Sequence, residues 1–168
     1  MPFELHPAPT PTRKPEDNYL QTAWKEKVYP MAEKLGVNMK LPTVSPYPYT
    51  NLAFQGLEFA KDQRKGDEYN DAVFRAFFQQ SRDIGRIDVL VDIAKEVGLG
   101  PEQFRAALEQ GTCRDRVQQL LRTAYEQVGV TAVPTMIIGT QRLNGLYPEH
   151  VIRQVIESEL ERWAERSR

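Results

Sequence analysis

The sequence predicts an α/β protein in which a block of about six helices is inserted between short strands. Two observations predict this class. Apolar residues recur at helical spacing from residue 17 to residue 128, and the chain then changes to a β-branched segment punctuated by glycines. With 168 residues and a mass of 19.3 kDa, the chain is long enough to bury a substantial hydrophobic core.

The N-terminal region predicts one strand and a connector. Residues 3–6 alternate apolar and polar side chains, which is typical of a short strand. Five prolines fall within the first fifteen residues, so the stretch that follows is expected to be an extended connector without regular structure.

A series of helices is predicted next, from apolar residues at helical spacing, glycines that end helices and prolines that begin them. They cover residues 17–29, 31–36, 51–65, 67–78, 86–97, 101–110 and 113–128. Pro30 is expected to interrupt the first of them, because an internal proline removes a helical hydrogen bond. Phe74, Phe77 and Phe78 recur at helical spacing and are predicted to lie in the core.

The last forty residues predict a hairpin and a helix. Thr135–Ile138 and about Gln141–Leu143 are short β-branched runs separated by a glycine, so they predict two antiparallel strands. Pro148 is expected to begin a final helix, whose charged end, residues 157–168, lies in solvent.

Composition excludes several classes of function. Lys plus Arg number 22 against 23 for Asp plus Glu, so no basic excess supports nucleic-acid binding. No apolar run is long enough for a membrane span, and the N-terminus lacks the pattern of a secretory signal, so we expect a cytoplasmic protein. The single cysteine excludes a dithiol pair within these residues, and two distant histidines do not form a zinc site. No nucleotide-binding motif occurs, so we expect no cofactor and no metal.

One segment carries a resemblance to a known family. Residues 129–135, GVTAVPT, precede an apolar strand, a turn, a second strand carrying Asn-Gly, and a last helix. This arrangement resembles the C-terminal half of the DsbA family, and most closely its FrnE-like branch of thioredoxin-fold thiol–disulfide oxidoreductases. The stretches PFELHP, LAFQGLEFAKDQ and AVFRAFFQQSRDIGRIDVLVDIAKEVGL agree with it. The resemblance implies a thioredoxin-like portion, residues 1–16 and 129–168, and an inserted helical domain, residues 17–128.

The departure from the family concerns its active site. The resemblance implies a C-x-x-C motif at the end of a first strand and the start of a first helix, and both would come before Phe3. We therefore expect the thioredoxin-like fold to be incomplete at its N-terminus, and the chain as given to be inactive alone. In the family's sheet, the missing first strand would lie between residues 3–6 and Thr135–Ile138. We expect a truncated chain, a homo-oligomer or strand exchange that completes the sheet, or direct pairing of the two remaining strands.

Candidate binding residues surround Pro134. A proline directly before an apolar strand cannot donate a hydrogen bond to the strand ladder, so its presence there needs a reason. A cis peptide between Val133 and Pro134 would supply one, because it would expose the Val133 backbone for pairing with an extended substrate. In the family this loop binds the backbone of an extended peptide or of a protein thiol or disulfide substrate. Thr135 is expected to support the loop.

Other side chains each allow two interpretations. Cys113 is either a reactive thiol favoured by the dipole of the helix that begins beside it, or a lone thiol in a surface turn. Residues 37–50 hold three prolines and are expected to form a proline-rich loop. Tyr47 and Tyr49 on this loop either line a peptide groove or pack beneath it. His6 is either a proton carrier or a solvated histidine, and His150 is expected at the surface.

Three functions are compatible with the resemblance to the DsbA family and with the missing C-x-x-C motif. The first is a FrnE-like disulfide oxidoreductase or isomerase whose dithiol lies outside these residues. The second is a relative of the glutathione-dependent isomerases and kappa-class transferases, which use a serine instead of the cysteine pair. The third is a redox-inert peptide-binding or scaffold module of thioredoxin fold.

Overall fold

The computed structural model describes residues 2–166, and the chain divides into two compact units, Met1–Leu121 and Arg122–Arg168. Eight α-helices, two π-helical turns and two strands are found in the described part. In chain order they are α1 (Asn18–Ala23), a π turn (Trp24–Val28), α2 (Tyr29–Lys34), α3 (Asn51–Asp62), α4 (Gly66–Phe78), α5 (Ile87–Glu96), α6 (Pro101–Gln110), α7 (Arg114–Arg122), a π turn (Thr123–Gln127), β1 (Thr135–Ile138), β2 (Gln141–Asn144) and α8 (Glu149–Arg166). Within residues 2–166, every helix is too short or too polar to span a lipid bilayer.

Pro30 does not end the first helix, contrary to the sequence prediction. The helical path runs from α1 through the π turn into α2, and Pro30 is the second residue of α2. The N–H of Tyr29 donates to the carbonyl of Trp24, five residues back, so the turn before Pro30 is wider than an α turn. A wider turn gives room to a residue that has no N–H and whose ring clashes with an α-helical carbonyl.

The core of the first unit is built by α3, α4, α5 and α6. Its fully buried large side chains include Tyr69, Leu90, Ile93 and Phe104. The Tyr69 and Phe104 ring centroids lie 5.4 Å apart, so two large rings fill the space between α3, α4 and α6. The helical block predicted from the 3.6-residue spacing is therefore a packed unit.

Phe74 is not a core residue, and the prediction that placed it there is wrong. The buried face of α4 consists of Tyr69, Ala72 and Ala76, whereas Phe74 is 55% exposed. Phe74 is two positions from both alanines, which turns it roughly 200° around the helix from each of them. Phe77 and Phe78 are half-buried, and Phe77 packs against the core.

Residues 3–6 do not form the predicted strand. The chain bends at Leu5 and His6 and turns at Ala8–Pro9, so too few consecutive residues stay extended. In the described part of the chain the sheet consists of β1 and β2.

The second unit consists of the predicted hairpin and a long helix. β1 and β2 are antiparallel, with Thr135 opposite Asn144 and Ile138 opposite Gln141. Gly139, at φ +56°, and Thr140 form the two-residue turn, where a positive φ favours glycine. Glu159 of α8 accepts hydrogen bonds of 3.0 Å from both the N–H and the hydroxyl of Thr140. These bonds attach α8 to the hairpin turn.

Candidate functional site

The loop before β1 is held in place by hydrogen bonds where it meets the hairpin. The hydroxyl oxygen of Thr135 lies 2.6 Å from the carbonyl oxygen of Ala132 and 3.2 Å from Oδ1 of Asn144. The N–H of Gly145 donates to the carbonyl oxygen of Pro134 at 2.7 Å. Since these contacts join the loop to both strands at the open end of the hairpin, they restrict the conformations of Pro134 before any ligand arrives.

Val133 is an exposed residue of this loop. The Val133–Pro134 peptide bond is cis, and 46% of the surface of Val133 is exposed. Residues 2–166 provide no hydrogen-bond partner for the N–H or the C=O of Val133. A backbone donor and acceptor without partners, on one exposed residue, are the groups that an extended polypeptide pairs with.

The first strand offers an edge that continues from this loop. β1 pairs with β2 on one side, and the described residues place no strand on its other side. Ile137 on β1 is 54% exposed. An incoming segment paired with Val133 would therefore run beside a strand edge and an exposed apolar side chain.

Two residues of this site, although noted in the resemblance, were not named as site residues from the sequence. Asn144 and Gly145 contact the loop through Thr135 and Pro134, and Gly145 has a φ of +95° that favours glycine. The signal that could have found them is the Asn-Gly pair itself, because such a pair at the end of a strand predicts a turn in the left-handed region.

Cys113 is buried, with 4% of its surface exposed, and is therefore not a surface thiol. Burial raises the pKa of the Cys113 thiol; Arg116 lowers that pKa, and the Asp62 and Glu58 carboxylates raise it. The net direction is upward, away from the thiolate that a reactive cysteine needs. The structure thus favours neither of the two interpretations made from the sequence.

Tyr47 and Tyr49 both hold the proline-rich loop to the N-terminal connector. The Tyr47 carbonyl accepts a 2.6 Å hydrogen bond from the Thr12 hydroxyl, and the Tyr49 hydroxyl donates to the carbonyl of Thr10 at 3.1 Å. Both tyrosines also line a surface cavity of about 590 Å³ in the first unit. His6, also in the first unit, is half-buried, and His150 is exposed at the start of α8.

Comparison with known proteins decides the family. Residues 1–157 match the DSBA-like thioredoxin domain. The chain belongs to the DSBA-like thioredoxin domain family. The fold class predicted from the sequence, an α/β fold with a helical insertion, is confirmed, and so is the resemblance to DsbA proteins.

Individual relatives of this DSBA-like chain agree with the assignment. It is 49% identical over 160 residues to the uncharacterised protein YwbO of Bacillus subtilis (strain 168), a match that covers 95% of this chain and 80% of YwbO. Among solved structures, it is similar to a putative protein disulfide isomerase from Nitrosomonas europaea, with a TM-score of 0.71 and 17% identity, covering 94% of this chain and 79% of the other.

Two further structures share the fold. A probable DsbA oxidoreductase from Streptomyces coelicolor has a TM-score of 0.67 at 22% identity, over 92% of this chain and 72% of that protein. A 2-hydroxychromene-2-carboxylate isomerase has a TM-score of 0.66 at 17% identity, over 89% and 70% of the two chains. The same fold therefore occurs in proteins described as oxidoreductases and as isomerases.

Proposed function

We propose that this chain holds an extended polypeptide for thiol–disulfide exchange, as the substrate-presenting part of a FrnE-like disulfide oxidoreductase or isomerase. The observation that carries the proposal is the Val133 backbone, which has no hydrogen-bond partner among residues 2–166 and belongs to an exposed residue. A peptide strand would accept a hydrogen bond from its N–H and donate one to its C=O.

The contacts around Thr135 explain how this loop would bind without a large ordering cost. The bonds to Ala132, Asn144 and Gly145 hold the loop in one conformation in the free protein. Binding to a loop that is already ordered loses less conformational freedom than binding to a mobile one.

The exchange chemistry itself requires groups beyond those of these 168 residues. A dithiol catalyst uses one thiolate to attack a disulfide and a second thiol to release the mixed disulfide. These residues hold one cysteine, Cys113, whose thiol is buried and has a raised pKa. We therefore propose that the dithiol comes from outside these 168 residues, and that they do not turn over a disulfide by themselves.

A methylation scan of a peptide tests the binding proposal. A fluorescein-labelled, cysteine-free hexapeptide is titrated with the chain, and binding is followed by fluorescence anisotropy. N-methylation is then moved along the peptide one residue at a time. Because a strand directs its N–H groups to alternate sides, we expect loss of binding only at the residue facing Val133 or at residues two apart from it.

Two matched variants locate the binding. Thr135→Val removes the hydroxyl that holds the loop and is expected to weaken binding about fivefold to tenfold, the effect of one hydrogen bond. Thr140→Val makes the same change at the other end of the hairpin and should leave binding unaltered. Equal effects of the two variants, or a methylation scan without periodicity, would contradict the proposal.

An insulin-reduction assay tests the chemical half of the proposal. With dithiothreitol as reductant, the 168 residues should not raise the rate above that of dithiothreitol alone, whereas a DsbA-family protein with a C-x-x-C pair serves as the positive control. Turnover that disappears in a Cys113→Ser variant would show that the buried thiol is catalytic and would refute this half.

The buried thiol also favours a second candidate, a redox-inert peptide-binding module of thioredoxin fold. This module would bind the hexapeptide in the same way but would need no dithiol. The two candidates differ in the protein isolated from its own source. Its intact mass after alkylation under reducing conditions counts the thiols: one thiol supports the inert module, and three or more support the oxidoreductase.

A further inference from the structure

A second cavity lies entirely within the first unit, between α3 and α4. Its volume is about 210 Å³, and Ala53, Leu57, Tyr69 and Val73 are among the residues that line it. Tyr69 and Ala53 are buried, whereas Phe74, which is 55% exposed, also lines the cavity. The cavity therefore extends from the protein surface to the core.

The walls of this cavity are apolar and aromatic. Phe54, Phe74, Phe77 and Phe78 all line it, and the described residues contribute no charged side chain to it. The Phe77 and Phe78 rings meet edge to face at a centroid distance of 5.0 Å, and Phe74 and Phe78 are stacked at 6.0 Å. Such rings offer both faces and edges to another aromatic ring.

Size and polarity limit what can fill the cavity. A cavity of about 150 Å³ lined by apolar side chains stays dry and holds a benzene molecule. A volume of about 210 Å³ therefore admits one ring with a small substituent. A charged ligand would lose its hydration without gaining an opposite charge, which is costly.

Few polar side chains lie around the cavity. Tyr69 is fully buried, and its hydroxyl has no hydrogen-bond partner among residues 2–166. Asn70 and Thr50 also line the cavity. The Tyr69 hydroxyl lies against Gly56 of α3, which is outside the residues that line the cavity, so the ligand needs no hydroxyl of its own.

We propose that the cavity between α3 and α4 is a binding site for a small, uncharged molecule with a single aromatic ring. This site is formed by other residues than the Val133–Thr135 loop and does not depend on the peptide-binding proposal.

The test uses three probes that differ by one group: toluene, p-cresol and p-toluate. Dissociation constants are measured by saturation-transfer NMR with the whole 168-residue chain. We expect toluene and p-cresol to bind with dissociation constants of about 1 mM or lower, a range within reach of very small ligands. p-Toluate should bind at least about tenfold more weakly, because its carboxylate would be buried without a partner.

A tryptophan provides a reporter of location. The Trp24 ring lies 6.1 Å from that of Phe78, which lines the cavity. Trp163, the other tryptophan, is 70% exposed on α8 and can be replaced by Phe. In that background, p-cresol and toluene should change the Trp24 fluorescence with the same dissociation constants as the NMR measurement.

Substitutions then decide whether the cavity is the site. Val73→Phe fills part of it, and Phe74→Ala removes a wall at an exposed position where the fold is not at risk; each should weaken p-cresol binding by about tenfold or more. Tyr19→Ala removes a 67% exposed aromatic ring outside the cavity and serves as the control.

Four results would overturn the proposal. They are the absence of saturable binding by toluene and p-cresol, equal binding of p-toluate, undiminished binding in both cavity variants, and displacement of p-cresol by a phenylalanine-containing peptide that binds more tightly. The last result would show that the cavity holds a side chain of a polypeptide instead of a small molecule.

Discussion

Replacing Gly56 with alanine tests how tightly the helical core is packed. Gly56 lies on α3, and a Cβ added there would lie 2.7 Å from Cζ of Phe104 and 2.8 Å from Cζ of Tyr69. It would also meet the Tyr69 hydroxyl oxygen. Both rings are fully buried, at 0% exposure, so neither can move away into solvent.

The expected magnitude is the difference between two opposing effects. Overpacking a tight core by one methyl group costs about 1–3 kcal/mol, and contact with two immobile rings places this site near the upper value. Alanine gains about 1 kcal/mol over glycine inside a helix. Gly56→Ala should therefore lower the free energy of unfolding by about 2 kcal/mol.

Urea unfolding measured by far-UV circular dichroism checks this value, with an unchanged m-value showing that the unfolding transition is the same. Gly66→Ala is the matched control, because a Cβ at that first position of α4 would meet only the flexible side chain and the Cα of Lys61. It should be neutral or slightly stabilising. Adding Tyr69→Phe to Gly56→Ala removes the nearest clashing atom and should restore part of the lost stability. A stabilised Gly56→Ala variant would refute the packing described for α3, α4 and α6.

Three further outcomes are expected. Tyr69→Phe should raise the free energy of unfolding in urea by about 1 kcal/mol, because the buried hydroxyl has no partner among residues 2–166; a loss of that size would show that the hydroxyl is bonded. Cys113 should react with a thiol reagent at pH 8 far more slowly than free cysteine and become reactive in urea, since burial raises its pKa; equal rates would contradict its burial. The Thr140 N–H and hydroxyl hold the pKa of Glu159 below its usual range, with Arg162 contributing less. The Glu159 carboxylate therefore stabilises the hairpin at pH values above the ordinary glutamate pKa of about 4.3, and this stabilisation is lost as the pH falls below that value. Urea unfolding of the second unit from pH 7 to pH 3 should show a smaller loss of stability in Glu159→Gln than in the original chain, and identical profiles would count against this role.

Local signals in the sequence predicted the elements that depend on few neighbours. The hairpin and its turn follow from β-branched residues around Gly139, and the helices follow from apolar spacing and from glycine stops such as Gly111. Residues 3–6 had the alternation of a strand, but a strand also needs a long enough extended run, which the bend at Leu5 and His6 prevents.

The exposure of Phe74 and the cavity beside it could not be predicted from spacing alone. Several faces of α4 are apolar, and the choice of Tyr69 with two alanines as the inner face is made by the shapes of α3 and α6. At the loop, Val133, Pro134 and Thr135 could be named from the sequence, but the hydrogen bonds that Gly145 donates and Asn144 accepts depend on the register of the hairpin. The division into residues 1–16 with 129–168 and 17–128, the FrnE-like branch and the cytoplasmic location stay predictions.

The most direct test of peptide binding at the loop is a ¹H–¹⁵N correlation spectrum of the 168 residues during titration with the cysteine-free hexapeptide. If the peptide pairs with the backbone of this loop, the amide of Val133 shifts most, because it gains a hydrogen bond, and Thr135 beside it shifts as well, while Thr140 at the far end of the hairpin does not. A saturable titration whose shifts lie elsewhere, or no shift of Val133 at saturating peptide, would contradict the account.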